Sequence, residues 1–179
     1  MLLVVGDSLS AEYGLRRGSG WVQLLSERLA RSASQYSVVN ASISGDTTSG
    51  GRSRLPALLA RHHPALVIIE LGGNDGLRGL PVKSMRENLS AMVRESQEAR
   101  AKVLLVGMRL PPNFGEPYTE AFFGAYREVA RERRVALVPF LLDGFALDDV
   151  AFQADRIHPR EEQQPRMMEN VWKGLAPLL

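Results

Sequence analysis

Ser8, near the amino terminus, has the surroundings of a nucleophile. It follows the apolar run 2–5 at the sequence Gly6-Asp7-Ser8, where a buried strand is expected to end. Open α/β sheets bind their ligands at the carboxyl ends of their strands. The same three residue types also favour an ordinary turn after a strand. A serine attacks a carbonyl only with a base within hydrogen-bond reach, so the other polar residues must distinguish these two interpretations.

The chain has three histidines, and His158 is the one that the sequence places near Ser8. His62 and His63 lie at a predicted helix end, at the sheet edge opposite to Ser8, where solvent-exposed side chains are expected. His158 lies in a loop before the last predicted helix, with Asp155 three residues earlier. A carboxylate at this spacing can bond Nδ1 and leave Nε2 free for a serine. The alternative is a turn capped by Asp155, with His158 at the start of a helix.

Groups that could stabilise an oxyanion follow two other predicted strands. Gly45 lies in the small, polar loop 41–51, and Asn74 lies in the glycine-rich turn 72–76. Backbone N–H groups and amide side chains are suitable donors for a developing oxyanion. Each residue alone is ordinary turn chemistry, but together with Ser8 and His158 they form four signals at one edge of one sheet.

The elements that must position these residues alternate between strands and helices. Apolar runs predict five strands, at 2–5, 37–40, 65–71, 102–107 and 135–139. Helical periodicity predicts five helices, at about 21–33, 48–61, 85–99, 118–133 and 161–175. This alternation predicts one three-layer α/β domain over residues 1–179, with a flavodoxin-like parallel sheet of order 2-1-3-4-5. Right-handed crossovers then bring the loops after the strands to one rim.

Four blocks in this order resemble those of the SGNH (GDSL) hydrolase family. They are Gly-Asp-Ser-Leu-Ser at 6–10, Asn-Ala-Ser-Ile-Ser-Gly-Asp-Thr at 40–47, Leu-Gly-Gly-Asn-Asp-Gly at 71–76 and Asp-Arg-Ile-His-Pro at 155–159. Stretches 70–79 and 109–115 are similar to the bacterial branch of multifunctional thioesterase I, arylesterase and lysophospholipase. The resemblance covers essentially the whole chain.

The resemblance implies a role for each candidate residue. Ser8 becomes the nucleophile, His158 the base and Asp155 the acid that orients it. The oxyanion hole is formed by the N–H groups of Ser8 and Gly45 and by the Asn74 amide. The family's Asp-Gly-x-His is here Asp-Arg-Ile-His, with an arginine at position 156 in place of glycine. If this position needs a positive φ, that arginine is strained, and its charge lies beside the base.

The implied activity is serine hydrolysis of carboxylic esters and thioesters through an acyl-enzyme. Aryl esters, short-to-medium acyl esters, acyl-CoA and lysophospholipids are the expected substrate classes. Loops on the same rim are expected to form an acyl groove, although their apolar residues could simply cover the sheet edge. The candidate groove residues are Leu77, Leu110, Pro111, Phe114 and Phe140.

Other functions on the same fold remain open at this stage. A carbohydrate acetylesterase would use the same residues with a small, polar acyl pocket, and an acyltransferase would differ only in the acceptor. A flavodoxin-like binding module is a non-enzymatic alternative, because loop 44–51 resembles a phosphate cradle in composition. That loop, however, has no P-loop lysine.

Composition excludes several classes of protein. The 179 residues are 45% apolar and 23% charged, with a formal net charge of +2, which gives no argument for nucleic-acid binding. With no cysteine, disulfides, thiolate catalysis and cysteine-ligated metals are excluded. The implied serine-hydrolase mechanism needs neither a metal nor a cofactor, so we expect none. No apolar run approaches the ~20 residues of a membrane span. We expect a monomer acting on small molecules, periplasmic or secreted by family resemblance, or cytoplasmic if Met1 is the native start.

Overall fold

A five-stranded parallel sheet forms the centre of the computed structural model, which describes residues 1–32 and 35–179. The strands are β1 (Leu2–Gly6), β2 (Val38–Asn40), β3 (Leu66–Glu70), β4 (Lys102–Val106) and β5 (Ala136–Val138). Their spatial order is β2-β1-β3-β4-β5. The predicted fold class and strand order are confirmed.

Helices cover both faces of this sheet. They are α1 (Trp21–Ser32), α2 (Thr48–His62), α3 (Gly73–Leu77), α4 (Val82–Glu98), α5 (Glu116–Arg133) and α6 (Gln164–Leu175). Helices α2, α4 and α5 pack side by side, and α1 packs against α6. The predicted helix 21–33 is found as α1, and its last predicted residue, Ala33, lies outside the described residues.

The central strands are apolar because they are covered on both sides. Every residue of β1 and β3 is buried, as expected for parallel strands between two helical layers. The edge strands β2 and β5 have only three residues each and are mostly half-buried. Both are shorter than predicted, and so is the central strand β3.

Several helix starts differ from the sequence prediction: α3 was not predicted, α4 and α5 begin earlier than predicted, and α6 begins later. The glycine-rich turn after β3 contains the short helix α3, which begins directly after Gly72. Gly72 has a φ of 119°, and a Cβ there would lie 2.2 Å from the Tyr126 hydroxyl, so only glycine fits this tight exit from β3. Helix α4 begins at Val82, three residues before the predicted start, because Pro81 directly precedes its first turn.

Thr47 caps α2 at the end of the polar loop after β2. Its side chain accepts a hydrogen bond from the Gly50 N–H at 3.3 Å, which satisfies one of the free donors of the first turn. The cap directs the loop across the carboxyl edge of the sheet, next to the turn that follows β1. Within residues 1–32 and 35–179, no helix is both long and apolar enough to cross a lipid bilayer.

Candidate active site

Ser8 lies in the first turn after β1, at the carboxyl edge of the sheet. The Asp7 carboxylate accepts a hydrogen bond from the Leu9 N–H at 3.0 Å, and the Asp7 carbonyl accepts one from the Ser10 N–H at 3.2 Å. These bonds fold the chain into a tight turn, which the Gly-Asp-Ser sequence favours. The turn leaves the Ser8 side chain half-buried at the sheet edge.

His158 reaches Ser8 from the loop that precedes the last helix. Its Nε2 lies 2.8 Å from Ser8 Oγ, and its Nδ1 lies 2.7 Å from Asp155 Oδ2. The structure therefore brings the three residues together in one hydrogen-bonded chain. Because a carboxylate only accepts hydrogen bonds, Nδ1 carries the imidazole proton and Nε2 carries the lone pair that faces the serine.

Asp155 is kept ionised by donors from its own loop. Its Oδ1 accepts hydrogen bonds from the N–H groups of Ile157 at 2.9 Å and His158 at 3.0 Å. Burial acts to raise the pKa of Asp155, but these backbone donors and the His158 ring outweigh it and lower the pKa to about 2. The carboxylate is thus available to orient the imidazole and to stabilise an imidazolium.

The loop that carries both residues is closed at its base by a pair of short-range contacts. Phe152 and Pro159 form an antiparallel bridge, and the Arg160 N–H donates to the Ala151 carbonyl at 2.8 Å. At the tip, Arg156 has a φ of 57°, so the position that the family fills with glycine does adopt a positive φ here. This conformation costs a non-glycine residue about 1–2 kcal/mol.

Gly45 and Asn74, the other two predicted donors, come from the loops on either side of Ser8. Asn74 Nδ2 donates to the Asp46 carbonyl at 2.8 Å and to Asp7 Oδ2 at 3.2 Å. Asp46 follows Gly45, and Asp7 precedes Ser8. The Asn74 side chain is therefore hydrogen-bonded to both segments that carry the other two donors. Among the described residues, the N–H groups of Ser8 and Gly45 donate to no other protein atom. Such uncommitted donors beside a serine suit an oxyanion.

Arg54, which the sequence analysis missed, holds these loops together. Its Nε lies 2.8 Å from Asp46 Oδ2, and its guanidinium also donates to the carbonyls of Ala41 and, at 3.4 Å, Gly6. One side chain thereby joins the segments after β1 and β2. The sequence signal for Arg54 was its position seven residues after Thr47, which places both residues on the same face of the helix.

Two buried carboxyl groups lie beneath the Ser8 turn. Ser10 Oγ lies 2.6 Å from Glu70 Oε2, and the Asp7 N–H faces the same oxygen at 3.5 Å. Burial, reinforced by repulsion from Asp7, raises the pKa of Glu70 well above its usual range. Burial also raises the pKa of Asp7 to about 6, against the hydrogen bond from Leu9 and the attraction of His158. Glu70 therefore holds its proton to a higher pH than an exposed glutamate does.

The aspartates of the three rim turns accept hydrogen bonds from protein donors. The pairs are Asp7 with the Leu9 N–H, Asp46 with Arg54, and Asp75 with the N–H and hydroxyl of Thr48. In the part of the chain that the structure describes, no group of three His, Asp or Glu side chains is arranged to hold a metal ion.

A cavity of about 1310 Å³ opens at this rim, and its wall includes Gly73, the residue before Asn74. Four of the five predicted groove residues line it: Leu77, Leu110, Pro111 and Phe140. The fifth, Phe114, is not part of its wall, because the 3-10 turn Pro112–Phe114 presents its first proline to the cavity instead. Arg156 and Ile157 also line the cavity, so it reaches the loop of the base.

The GDSL-like lipase/acylhydrolase family model matches residues 4–164 of the chain. The chain belongs to this family. The match spans the Ser8 turn, the Gly45 and Asn74 loops and the His158 loop, so the resemblance drawn from the four sequence blocks is confirmed.

Family members of high similarity are named for ester or thioester hydrolysis. Esterase TesA of Pseudomonas aeruginosa is 56% identical over 178 residues, which cover 99% of this chain and 89% of TesA. Thioesterase 1/protease 1/lysophospholipase L1 of Escherichia coli is 43% identical over 178 residues, which cover 99% of this chain and 84% of that protein. This member of the family is accordingly a carboxylic ester hydrolase.

Solved structures of the family superpose closely on this chain. The crystal structure of TesA has a TM-score of 0.97 at 56% identity and covers 99% of both chains. The esterase EstA from Pseudoalteromonas, in a structure inhibited by monoethylphosphonate, has a TM-score of 0.93 at 39% identity and covers 98% of this chain and 96% of its own.

The buried Glu70 predicts how stability depends on pH. Its pKa is raised in the folded state, so the folded protein retains a proton that the unfolded chain releases, and stability falls as pH rises above the unfolded pKa. Glu70→Gln is neutral at every pH and can still accept from Ser10. We expect it to gain free energy of unfolding relative to the wild type as pH rises from about 5 to about 8, measured by urea unfolding.

Glu120→Gln, which changes an exposed carboxyl on α5, is the matched control and should run parallel to the wild type over the same range. Parallel curves for Glu70→Gln and the wild type would contradict the raised pKa of Glu70.

Proposed function

We propose that Ser8, His158 and Asp155 hydrolyse carboxylic esters and thioesters through a covalent acyl-enzyme. The observation that carries this proposal is the continuous hydrogen-bonded chain from Ser8 Oγ through both ring nitrogens of His158 to Asp155, with contacts of 2.8 and 2.7 Å. A serine hydroxyl is a weak nucleophile by itself, and a base at this distance with a fixed tautomer activates it.

In the first half-reaction, Ser8 Oγ attacks the carbonyl carbon while its proton passes to His158 Nε2. The imidazolium that forms is stabilised by the ionised Asp155. When the tetrahedral intermediate collapses, the bond to the leaving group breaks, and His158 returns the proton to the departing alkoxide or thiolate. An alcohol or thiol leaves, and the acyl group stays on Ser8.

In the second half-reaction, water replaces the alcohol. His158 takes a proton from the water as its oxygen attacks the acyl carbon. The intermediate collapses with release of Ser8 Oγ, which regains the proton from His158. The products are a carboxylic acid and the original enzyme.

The negative charge on each tetrahedral intermediate is assigned to the N–H groups of Ser8 and Gly45 and to Asn74 Nδ2. Two of these donors are uncommitted among the described residues. The third, on Asn74, shares one hydrogen with Asp7 at 3.2 Å, which is the longer of its two bonds. That longer bond is the one an oxyanion would replace, while the 2.8 Å bond to Asp46 keeps the amide in place.

The acyl chain is assigned to the cavity that Gly73, Arg156 and Ile157 line, next in the chain to Asn74, Asp155 and His158. Its wall combines Leu77, Leu110, Pro111 and Phe140, and its volume exceeds what an acetyl group fills. We therefore propose aryl esters, short-to-medium acyl esters and acyl-CoA as substrates, with lysophospholipids as a further class. The names arylesterase, given to a Vibrio mimicus relative, and lysophospholipase, given to the Escherichia coli relative, support these classes.

We also propose that residues 1–179 form one catalytic domain that works as a monomer, without a cofactor or nucleic acid. All proposed catalytic and oxyanion groups come from the same chain and lie at one rim of one sheet, so no second chain is needed to complete the site.

The first prediction from this mechanism concerns the identity of the nucleophile. A fluorophosphonate should form one covalent adduct, located on Ser8 by peptide mass spectrometry. Ser8→Ala should lose the adduct and lower kcat by about 10⁴-fold or more, since the members of such a triad act as a unit. Ser53→Ala, which removes an exposed serine on α2, is the control and should keep both label and rate. Labelling of the folded protein at another residue would refute the assignment.

The second prediction concerns the oxyanion donors. Asn74→Ala should lower kcat by about 10²-fold, corresponding to ~3 kcal/mol, with a smaller change in KM, because the amide acts mainly on the transition state. Asn88→Ala removes a partly buried asparagine on α4 and controls for loss of an amide. Thermal unfolding of both variants separates a catalytic effect from a folding defect. An unchanged kcat in Asn74→Ala would remove Asn74 from the oxyanion hole.

The third prediction concerns the acyl group. Across p-nitrophenyl acetate, butyrate and octanoate, kcat/KM should rise with chain length, because each added methylene buries apolar surface in the cavity. Phe140→Ala should lower kcat/KM for octanoate about 10-fold and change that for acetate little. Phe114→Ala, off the cavity wall, is the matched control. A sharp preference for acetate, without turnover of longer chains, would instead favour the carbohydrate acetylesterase.

A further inference from the structure

Tyr13 covers one face of the His158 ring. The two ring centroids are 4.4 Å apart, and their planes are tilted by 36°. The Tyr13 N–H donates to the Ser8 carbonyl at 3.3 Å, so this residue contacts both ends of the proposed proton transfer. Tyr13 is 50% exposed, and the His158 ring is the aromatic side chain against which it lies.

Gln153 ties the Tyr13 segment to the loop of the base. Its N–H donates to the His158 carbonyl at 2.8 Å, and its Nε2 donates to the carbonyls of Tyr13 at 3.0 Å and Pro159 at 3.3 Å. Gly14 makes room for this side chain, because a Cβ at Gly14 would lie 2.1 Å from Gln153 Oε1. Gln153 thus joins the backbone of Tyr13 to the loop of His158 and keeps the tyrosine ring next to the imidazole.

We propose that Tyr13 is a positioning residue for His158. Asp155 fixes one edge of the imidazole through Nδ1, but a hydrogen bond at one nitrogen leaves the ring free to tilt about that bond. The face of Tyr13 limits this tilt and keeps Nε2 directed at Ser8. The same face attracts the imidazolium cation that forms during each proton transfer. This inference rests on the role of general base proposed for His158.

The test compares Tyr13→Leu with Tyr13→Phe. Tyr13→Leu removes the aromatic face, and we expect kcat for p-nitrophenyl butyrate to fall about 5-fold to 10-fold with KM changed less than about 2-fold. Tyr13→Phe keeps the face, and it should restore most of the lost rate. Tyr36→Leu, before β2 at the opposite edge of the sheet, controls for loss of a tyrosine. Equal rates for the leucine and phenylalanine variants would overturn the inference.

A double-mutant cycle separates positioning of His158 from a general structural role. In the His158→Ala background, Tyr13→Leu should leave the residual rate unchanged, because the group on which Tyr13 acts is already gone. If Tyr13→Leu slows both backgrounds by the same factor, Tyr13 acts independently of His158 and the inference is wrong. If His158→Ala alone keeps the wild-type rate, the proposed function is wrong. If His158→Ala is inactive but Tyr13→Leu alone leaves kcat unchanged, only the inference about Tyr13 is wrong.

Gln153→Ala gives the same test if Tyr13→Leu does not fold. It removes the side-chain bonds to the carbonyls of Tyr13 and Pro159 and keeps the Tyr13 and His158 rings. We expect a smaller loss of kcat, about 2-fold to 5-fold, that again disappears in the His158→Ala background. A loss of equal size in both backgrounds would contradict the inference.

Discussion

The hydrogen bond between His158 Nε2 and Ser8 Oγ joins residues 150 positions apart, and the surrounding structure serves to hold it. Ser8 is fixed because β1 is a fully buried strand with a neighbour on each side, so the turn at its end has little freedom. His158 comes from a loop outside the sheet and must be fixed by other means. The bridge between Phe152 and Pro159 and the bonds to Asp155 supply them.

The pKa values of two carboxyl groups near this hydrogen bond are shifted in opposite directions. Asp155, with donors from two backbone N–H groups and a ring nitrogen, has its pKa lowered to about 2 and remains an anion. Glu70, fully buried next to Asp7, has its pKa raised, which favours its protonated form. The site thus places one anion where an imidazolium forms, and burial favours the neutral form of the carboxyl beneath the nucleophile.

The sequence predicted what depends on local pattern and on the parallel sheet. Strand order 2-1-3-4-5 places the loops of Gly45 and Asn74 on either side of Ser8, and the observed order brings their segments together through the Asn74 amide. Residues whose role comes from distant contacts were missed. Tyr13 and Gln153 carry no local signature, because each acts on a segment far away in the chain, and the spacing of Arg54 from Thr47 does not show which carbonyls its side chain reaches. Phe114 does not line the cavity, because apolar character alone does not determine which residue of the turn 112–114 reaches its wall.

Arg156 shows how a departure from the family pattern can leave the site geometry intact. Its φ of 57° costs about 1–2 kcal/mol relative to glycine. A glycine there would leave the unfolded loop with more conformations, which offsets part of that cost. The remainder is small against the hydrogen bonds that Asp155 makes to Ile157 and His158, since those bonds determine the turn on either side of Arg156. The contacts that orient the base therefore also stabilise the turn that contains Arg156. The arginine adds a positive charge to the cavity wall without displacing His158 from Ser8.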